Sequence, residues 1–243
     1  MPKLLLLGGT TEASLLARAL AERDVQAVFS YAGRVASPKA QPLPTRVGGF
    51  GGVDGLVQYL QEHSITHVVD ATHPFAAQMS WNGFEACQQV GTKLMALTRP
   101  AWQAQAGDQW THVANIDGAM TALAGDPKRV LLALGKLNVP AFSAQPQHHY
   151  VLRLVDEPET PPALPNHTVV VARGPFDVAG DRALMQEHGI ELLVCKNAGG
   201  VGAEAKLTAA RELGVPVIMI DRPKLPPRSE VATVDAVLEW IAS

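Results

Sequence analysis

The sequence has few cysteines, few aromatic residues and little charge. Cys87 and Cys195 are the two cysteines among 243 residues, and both stand in apolar segments. One pair cannot build a disulfide framework or a four-ligand zinc pattern, so we expect two buried, reduced thiols. Charged residues make up 18%, aromatic residues 5% and hydrophobic residues 47% of the chain. This balance excludes a disordered protein and suits a parallel sheet covered by alanine-rich helices.

Long apolar runs and basic runs are also missing. No stretch approaches the roughly 18 apolar residues that a membrane span needs, and the run Leu4–Leu7 ends in glycines instead of continuing as a signal peptide. We therefore expect a soluble, cytoplasmic protein with no membrane partner. The net charge of −3 and the lack of a basic helix face argue against nucleic acid as a partner.

Several catalytic motifs are absent. The chain has no Walker G-x-x-x-x-G-K-[ST] loop and no G-x-S-x-G elbow, so P-loop phosphate transfer and α/β-hydrolase chemistry are disfavoured. It has no H-E-x-x-H or C-x-x-C, and we expect no metal site. None of its three tyrosines has a lysine four residues later, so the Tyr-x-x-x-Lys site of short-chain dehydrogenases is absent.

Strand-like runs recur about every 20–30 residues with helical patterns between them, which is typical of βαβ units and a parallel sheet. The predicted strands are 3–7, 25–30, 45–47, 67–71, 93–98, 129–134, 150–154, 168–172, 192–196 and 217–221. The predicted helices are 12–23, 54–63, 76–90, 117–124, 176–188, 203–213 and 234–241, with Asp54 as the N-cap of the second. The last helix could pack on either half.

The pattern restarts after the turn signal Gly125-Asp126-Pro127. We therefore predict an N-terminal Rossmann-like dinucleotide-binding domain over 1–125. A C-terminal Rossmann-like domain over 126–243 contributes the substrate site. The fold class is α/β, with two parallel-sheet domains and the active site in the cleft between them.

The turn after the first strand, Gly8-Gly9-Thr10-Thr11-Glu12-Ala13, opens a helix. Glycines there let the backbone approach a pyrophosphate, and the helix N-terminus offers free N–H groups. Thr10 stands where the usual G-x-G-x-x-G/A motif has its middle glycine, and the hydroxyls of Thr10 and Thr11 could donate to phosphate. The alternative is a tight turn capped by threonine.

The end of the second strand carries no acid. NAD binders usually place a carboxylate there, whereas NADP binders carry a basic group. Because the run is Ser30-Tyr31-Ala32-Gly33-Arg34, we predict NADPH, with Ser30 and Arg34 as the phosphate ligands and NADH as the other possibility. Arg34 could instead be a surface charge.

Two further strand ends stand out in the first half. The glycines around Phe50, in Gly48–Gly52, cost backbone entropy and favour close approach to a ligand over a lid that contacts none. After the fourth strand come Thr72 and His73. His73 could donate a hydrogen bond to cofactor or substrate, or it could be structural.

The second half presents a cation at four separate strand ends, namely Lys136, Arg173, Lys196 and Arg222. In an acidic protein, four cations on one edge predict a pocket for a ligand with several carboxylates or phosphates. The alternative is that each is ordinary solvated surface.

The motifs Leu7–Ala13, Tyr31–Arg34, Arg46–Gly52, Asp70–Ala76, Arg173–Phe176 and Lys196–Gly200 occur in one order over residues 4 to 227. Together they resemble the precorrin-6A reductase family of cobalamin biosynthesis. The resemblance implies an oxidoreductase that acts on a CH–CH group, transferring hydride from a nicotinamide cofactor to one double bond of a corrin-type macrocycle. Its partner would be an anionic tetrapyrrole, metal-free or with cobalt, and the chain a monomer or small homo-oligomer.

The resemblance and the strand ends together assign two sets of residues. The predicted cofactor set is Gly8, Gly9, Thr10, Thr11, Glu12, Ser30, Arg34, Gly49, Phe50, Gly51 and Thr72. The predicted substrate set is His73, Lys136, Arg173, Lys196, Asn197 and Arg222. The sequence assigns no catalytic residue, and His73 is a candidate proton donor beside water.

Two other function classes stay open at this point. An S-adenosylmethionine methyltransferase also uses a glycine turn after its first strand, but it normally carries the acid that the second strand here lacks. A non-catalytic tetrapyrrole carrier would use the same cationic pocket without needing a dinucleotide.

Overall fold

The chain folds into two units, each built on one six-stranded parallel sheet. The computed structural model describes residues 2–33, 39–172, 174 and 176–243. The first unit comprises Met1–Pro100 and Lys224–Ser243, and the second comprises Ala101–Pro223. The predicted α/β class with two Rossmann-like parallel sheets is confirmed.

Strands and helices alternate along the chain. In order they are β1 (Lys3–Leu7), α1 (Thr11–Ala21), β2 (Gln26–Tyr31), β3 (Thr45–Val47), α2 (Gly52–Glu62), β4 (His67–Asp70), α3 (Ala77–Val90), β5 (Lys93–Leu97), β6 (Trp110–Val113), α4 (Ile116–Ala122), β7 (Arg129–Ala133), β8 (His149–Leu154), β9 (His167–Val171), α5 (Val178–Glu187), β10 (Leu192–Lys196), α6 (Ala205–Leu213), β11 (Val217–Ile220), β12 (Glu230–Val231) and α7 (Val234–Ala242). Two 3-10 helices, Lys136–Ala144 and Val201–Ala203, follow β7 and β10.

Both sheets have the Rossmann strand order. The first sheet runs β3-β2-β1-β4-β5-β12 and the second runs β9-β8-β7-β10-β11-β6. In each sheet the order reverses at one place, between β1 and β4 in the first and between β7 and β10 in the second. In open parallel sheets, ligands bind outside the carboxyl ends of the strands at this switch point. The topology therefore marks one candidate site in each unit.

The division of the chain differs from the predicted boundary at 125/126. The segment before that boundary contains β6, which pairs with β11 in the second sheet. The C-terminal segment contains β12, which pairs with β5 in the first sheet. Each sheet thus receives its sixth strand from a segment that the predicted division placed in the other half. These two strands have four and two residues and none of these residues is buried, so no apolar run marks them in the sequence.

Helix α7 belongs to the first unit. Val237 and Ile241 are buried with Leu16 and Leu20 of α1, whose four-residue spacing places them on one helix face. The other face of the first sheet is covered by α2 and α3. Asp54, the predicted N-cap of α2, lies instead in its first turn, because the helix begins at Gly52 after Gly51 in a left-handed conformation. That N-cap prediction is wrong.

Both cysteines are buried as free thiols, as predicted. Burial, and then the negative charge of Asp70, raise the pKa of Cys87 to about 12. Burial raises the pKa of Cys195 to about 11, although the cations Lys206 and Arg153 act in the opposite direction. Both groups are therefore protonated at neutral pH, and neither is a ready nucleophile.

The described residues contain neither a membrane-spanning helix nor a cluster of metal-ligating side chains. No helix there has the length and apolar character to cross a bilayer. Within the same ranges, His, Cys, Asp and Glu side chains do not gather in threes as a metal ion would require.

Candidate functional site

The switch point of the first unit is built from the turns after β1 and β4. Thr10 is the N-cap of α1, and its hydroxyl accepts from the N–H of Ala13 at 3.1 Å. The same hydroxyl donates to the carbonyl of Ala71 at 2.8 Å, which joins the two turns. Its proton is therefore used inside the protein, and the predicted donation from Thr10 to phosphate does not match this geometry. The anion-binding potential of the turn lies in the first N–H groups of α1.

A small cavity lies at the carboxyl ends of β1, β2, β3 and β4. Its volume is about 40 Å3. Its walls include five residues of the predicted cofactor set, Gly8, Ser30, Gly49, Phe50 and Thr72. Residues separated by more than 60 positions in the chain thus meet at one place, as the parallel topology predicts.

The two positions after β1 favour glycine for different physical reasons. An added Cβ on Gly8 would overlap the ring of Phe29, so the turn lies directly against β2. Gly9 has φ +127°, which L side chains rarely adopt, and a Cβ there would meet no atom within 4 Å. Gly8 is needed for packing, whereas Gly9 leaves open backbone that a ligand can approach.

Replacing Gly8 with alanine is expected to lower the free energy of unfolding by about 1–3 kcal/mol, because the methyl group overpacks against Phe29. Shortening the ring side chain in Gly8→Ala/Phe29→Leu should recover part of that loss. Urea unfolding of the two single variants and the double variant measures the coupling. Strictly additive costs would show that the Phe29 ring is not what excludes a side chain here.

The side chain of Ser30 is not free to bind a ligand alone. Its hydroxyl accepts from Nη1 of Arg46 at 2.7 Å, and Ser30 is 5% exposed. Arg46 also donates from Nη1 to the carbonyl of Gly48 at 2.9 Å and from Nη2 to that of Gly49 at 3.0 Å. Its guanidinium carbon lies 3.8 Å from the centroid of the Phe50 ring. Arg46 therefore connects the end of β2 to the glycine loop.

Arg46 is a candidate cofactor-site residue that the sequence analysis did not assign. Burial lowers its pKa from the ordinary arginine value, and the nearby Tyr59 acts in the opposite direction; arginine nevertheless stays charged at neutral pH. Arg46 pairs with Ser30 across β2 and β3. A prediction of this strand register would therefore have placed Arg46 beside the end of β2. A cation thus stands beside the strand end where NADP binders carry one. Arg34, which was predicted for this role, lies outside the described residues.

The backbone conformation of residues 48–52, the glycine loop, explains why this loop is rich in glycine. Gly48, Gly51 and Gly52 have φ values of +122°, +86° and +88°, which only glycine adopts readily. A Cβ on Gly48 or Gly49 would meet no atom within 4 Å. The loop therefore combines a fixed, glycine-specific path with backbone that is open to a ligand.

The turn after β4 is held by the buried carboxylate of Asp70. Oδ1 accepts from the hydroxyl of Thr72 at 2.6 Å and from its N–H at 3.0 Å. Oδ2 accepts from Ser80 at 2.7 Å and pairs with Nη1 of Arg228. This arrangement fixes Thr72 in the cavity wall. His73 follows, half-buried, and its Nδ1 accepts from the N–H of Phe75 at 3.2 Å, so the proton of a neutral ring is on Nε2.

The remaining members of the cofactor set lie at the start of their helices. Glu12, in the first turn of α1, forms an ion pair with Arg99 at 2.8 Å. Thr11 begins α1 and is exposed, and Gly51 precedes α2. This ion pair links the start of α1 to the segment after β5, and a role of Glu12 in cofactor binding stays a prediction.

The switch point of the second unit carries three of the predicted cations. Lys136 is exposed and begins the 3-10 helix after β7, and Lys196 ends β10. Arg222 follows β11 and donates from Nε to the carbonyl of Asn197 at 3.1 Å and from Nη2 to that of Ala198 at 3.2 Å. Arg222 therefore shapes the loop after β10 as well as charging it. Arg173 lies outside the described residues.

Asn197 has a structural use that differs from the predicted contact with substrate. It is 5% exposed, its Oδ1 accepts from the N–H of Trp102 at 2.8 Å, and its Nδ2 donates to the carbonyl of Trp102 at 3.1 Å. Both polar ends of the side chain are thereby used. Trp102 in turn donates from Nε1 to the carbonyl of Gly200 at 3.0 Å, so Asn197 and Trp102 together hold the loop after β10.

Comparison with known proteins places the chain in a family. The profile of the precorrin-6x reductase family CbiJ/CobK matches residues 3–242. The precorrin-6A reductase of Rhodobacter capsulatus is 59% identical over 242 residues, covering 100% of this chain and 96% of that protein. A cobalt-precorrin-6A reductase of Priestia megaterium is 30% identical, covering 98% of this chain and 96% of that one. The solved structure of a CobK precorrin-6A reductase superimposes with a TM-score of 0.95 at 59% identity, covering 100% of this chain and 96% of that one. The chain therefore belongs to the precorrin-6x reductase family.

Proposed function

We propose that this protein reduces precorrin-6A with NADPH. One hydride passes from the cofactor to one double bond of the macrocycle and one proton is added, giving the dihydro product and NADP+. The observation that carries this proposal is the meeting of five cofactor-set residues in one cavity at the first switch point. The relative that is named for the same reaction, at 59% identity over the whole chain, supports it.

The residues of the first unit fit a dinucleotide. The turn at Gly8 and Gly9 and the N-terminus of α1 would hold the pyrophosphate, where the backbone at Gly9 is open. The side chains at the ends of β2 and β3, with Arg46 among them, would hold the ribose and its phosphate. The absence of an acid at the end of β2 favours NADPH over NADH. The cofactor supplies the hydride, and the protein supplies position and exclusion of water.

The residues of the second unit fit a polyanion. Lys136, Lys196 and Arg222 follow or end the adjacent strands β7, β10 and β11. Each exposed ion pair with a carboxylate is worth only a fraction of a kcal/mol, and more where water is excluded. Their sum would orient the ring of the substrate, and orientation is most of what a hydride-transfer enzyme has to provide. The Nε2–H of His73 is the protein's candidate proton donor, with water as the alternative.

The metal-free macrocycle is the preferred substrate in this proposal. The relative named for it is 59% identical to this chain, whereas the relative named for the cobalt complex is 30% identical. Any cobalt ion would belong to the substrate. No protein site for it is required.

The test is turnover with labelled cofactor. Purified protein is given precorrin-6A and NADPH carrying deuterium at the transferable position, without oxygen. We expect loss of NADPH absorbance in step with the macrocycle and a single deuterium in the product by mass spectrometry. Parallel reactions with NADH and with the cobalt complex measure the two preferences. Tetrapyrrole binding with no cofactor consumption would contradict the proposal and favour a carrier.

A further inference from the structure

The exposed apolar side chains of the second unit are concentrated at one edge of its sheet. Among its described residues, four large hydrophobic side chains are exposed, and each follows or ends a different strand. Val201 after β10 is 88% exposed and Leu137 after β7 is 70% exposed. Val155 after β8 is 56% exposed and Val171 at the end of β9 is 46% exposed. All four are at the carboxyl edge.

The strand order places these positions after adjacent strands. Strands β9, β8, β7 and β10 lie side by side in that order, and β7 and β10 pair directly. Leu137 and Val201 therefore stand in the two loops that flank the switch point. Single exposed hydrophobic residues are normal on a protein surface, but a contiguous set rimmed by polar groups marks a binding surface.

Cations accompany the two most exposed members of this set. Lys136 directly precedes Leu137 and is exposed, and Lys196 ends the strand before Val201. Arg222 follows β11, the next strand. The acids after these strands are Asp156, Glu157 and Glu159 after β8, Asp177 after β9, half-buried Glu204 before α6, and Asp221, which pairs with His112 at 2.7 Å. An apolar centre beside Lys136 and Lys196 matches a ligand with an apolar body and a carboxylate rim.

We propose that Leu137 and Val201 contact the apolar ring of the tetrapyrrole, while the neighbouring cations receive its carboxylates. This assignment rests on the proposed function and adds to it the residues that recognise the ring. Cations alone would accept any polyanion. Apolar contacts favour a macrocycle over a small aliphatic polycarboxylate, because burial of ring surface adds affinity that charge does not supply.

The test compares two ligands on matched variants. Leu137→Gln/Val201→Thr keeps size and exposure while removing apolar surface, and Leu15→Gln, at a 49% exposed site on α1, is the control. A polycarboxylate porphyrin and an aliphatic tricarboxylate are titrated separately by fluorescence. We expect the double variant to bind the porphyrin about tenfold more weakly, the tricarboxylate unchanged, and Leu15→Gln to match the parent. In turnover, KM for precorrin-6A should rise similarly while KM for NADPH stays constant.

Three results would overturn the assignment. The first is unchanged porphyrin affinity in the double variant, and the second is equal weakening of porphyrin and tricarboxylate. The third is a parent that self-associates in sedimentation while the double variant does not, which would assign this edge to a second copy of the chain. The porphyrin titration needs no turnover, so failure of the reductase function and failure of these contacts are read separately.

Discussion

Replacing Arg228 with methionine is expected to lower the free energy of unfolding by about 3–5 kcal/mol, the cost of removing one partner from a buried ion pair. The side chains of Arg228 and Asp70 are 5% and 2% exposed. Without the guanidinium, the buried Asp70 carboxylate keeps the bonds from Thr72 and Ser80 but loses its counter-charge. Chemical denaturation of the variant and the parent measures the difference.

The matched control is Arg182→Met. Arg182 pairs with Glu212 at 3.3 Å, but these side chains are 49% and 44% exposed, so solvent screens the interaction and the loss should be below about 1 kcal/mol. The double variant Asp70→Asn/Arg228→Met should regain part of the lost stability, because a neutral amide needs no counter-charge. Equal losses in Arg228→Met and Arg182→Met would contradict the assigned role of the buried pair.

Arg228 also shows what sequence reasoning could not reach. It is 158 positions from Asp70 in the chain, and it lies in the segment that returns to the first sheet as β12. A continuous apolar run locates a strand that is buried on both faces, which is why β1 and β10 were predicted at their observed bounds. It carries no information on which sheet a two-residue strand joins. The predicted boundary at 125/126 differs from the observed division for that reason.

The sequence predicted which strand ends form the candidate site. Parallel strands bring their carboxyl ends to one edge, so Gly8, Ser30, Phe50 and Thr72 could be grouped from the sequence, and they line one cavity. The use of each side chain was less predictable. Asn197 was grouped with the cations of its edge, yet it binds the backbone of Trp102. The sequence alone does not distinguish a polar strand-end residue that faces a ligand from one that binds another turn.

Replacing Arg46 with methionine is expected to weaken NADPH binding by about 100-fold. The guanidinium uses three of its five N–H donors on Ser30, Gly48 and Gly49, and a loss of one or two charge-assisted bonds is worth about 2–3 kcal/mol. Methionine still fills space against the Phe50 ring, so the change removes the hydrogen bonds and the charge, including the cation–π contact with that ring. Fluorescence titration with NADPH gives the affinity, and Arg23→Met, at an exposed arginine on the same unit, is the control.

Titration with NADH then separates two roles of Arg46. If the guanidinium only holds the glycine loop, NADPH and NADH should weaken by the same factor, because both need the same backbone path. If its charge also meets the extra phosphate, NADPH should weaken more, and Arg46→Lys should retain part of the NADPH preference while losing the bonds that hold the loop. Unchanged affinity for both cofactors in Arg46→Met would remove Arg46 from the cofactor site and leave the phosphate contact to Arg34.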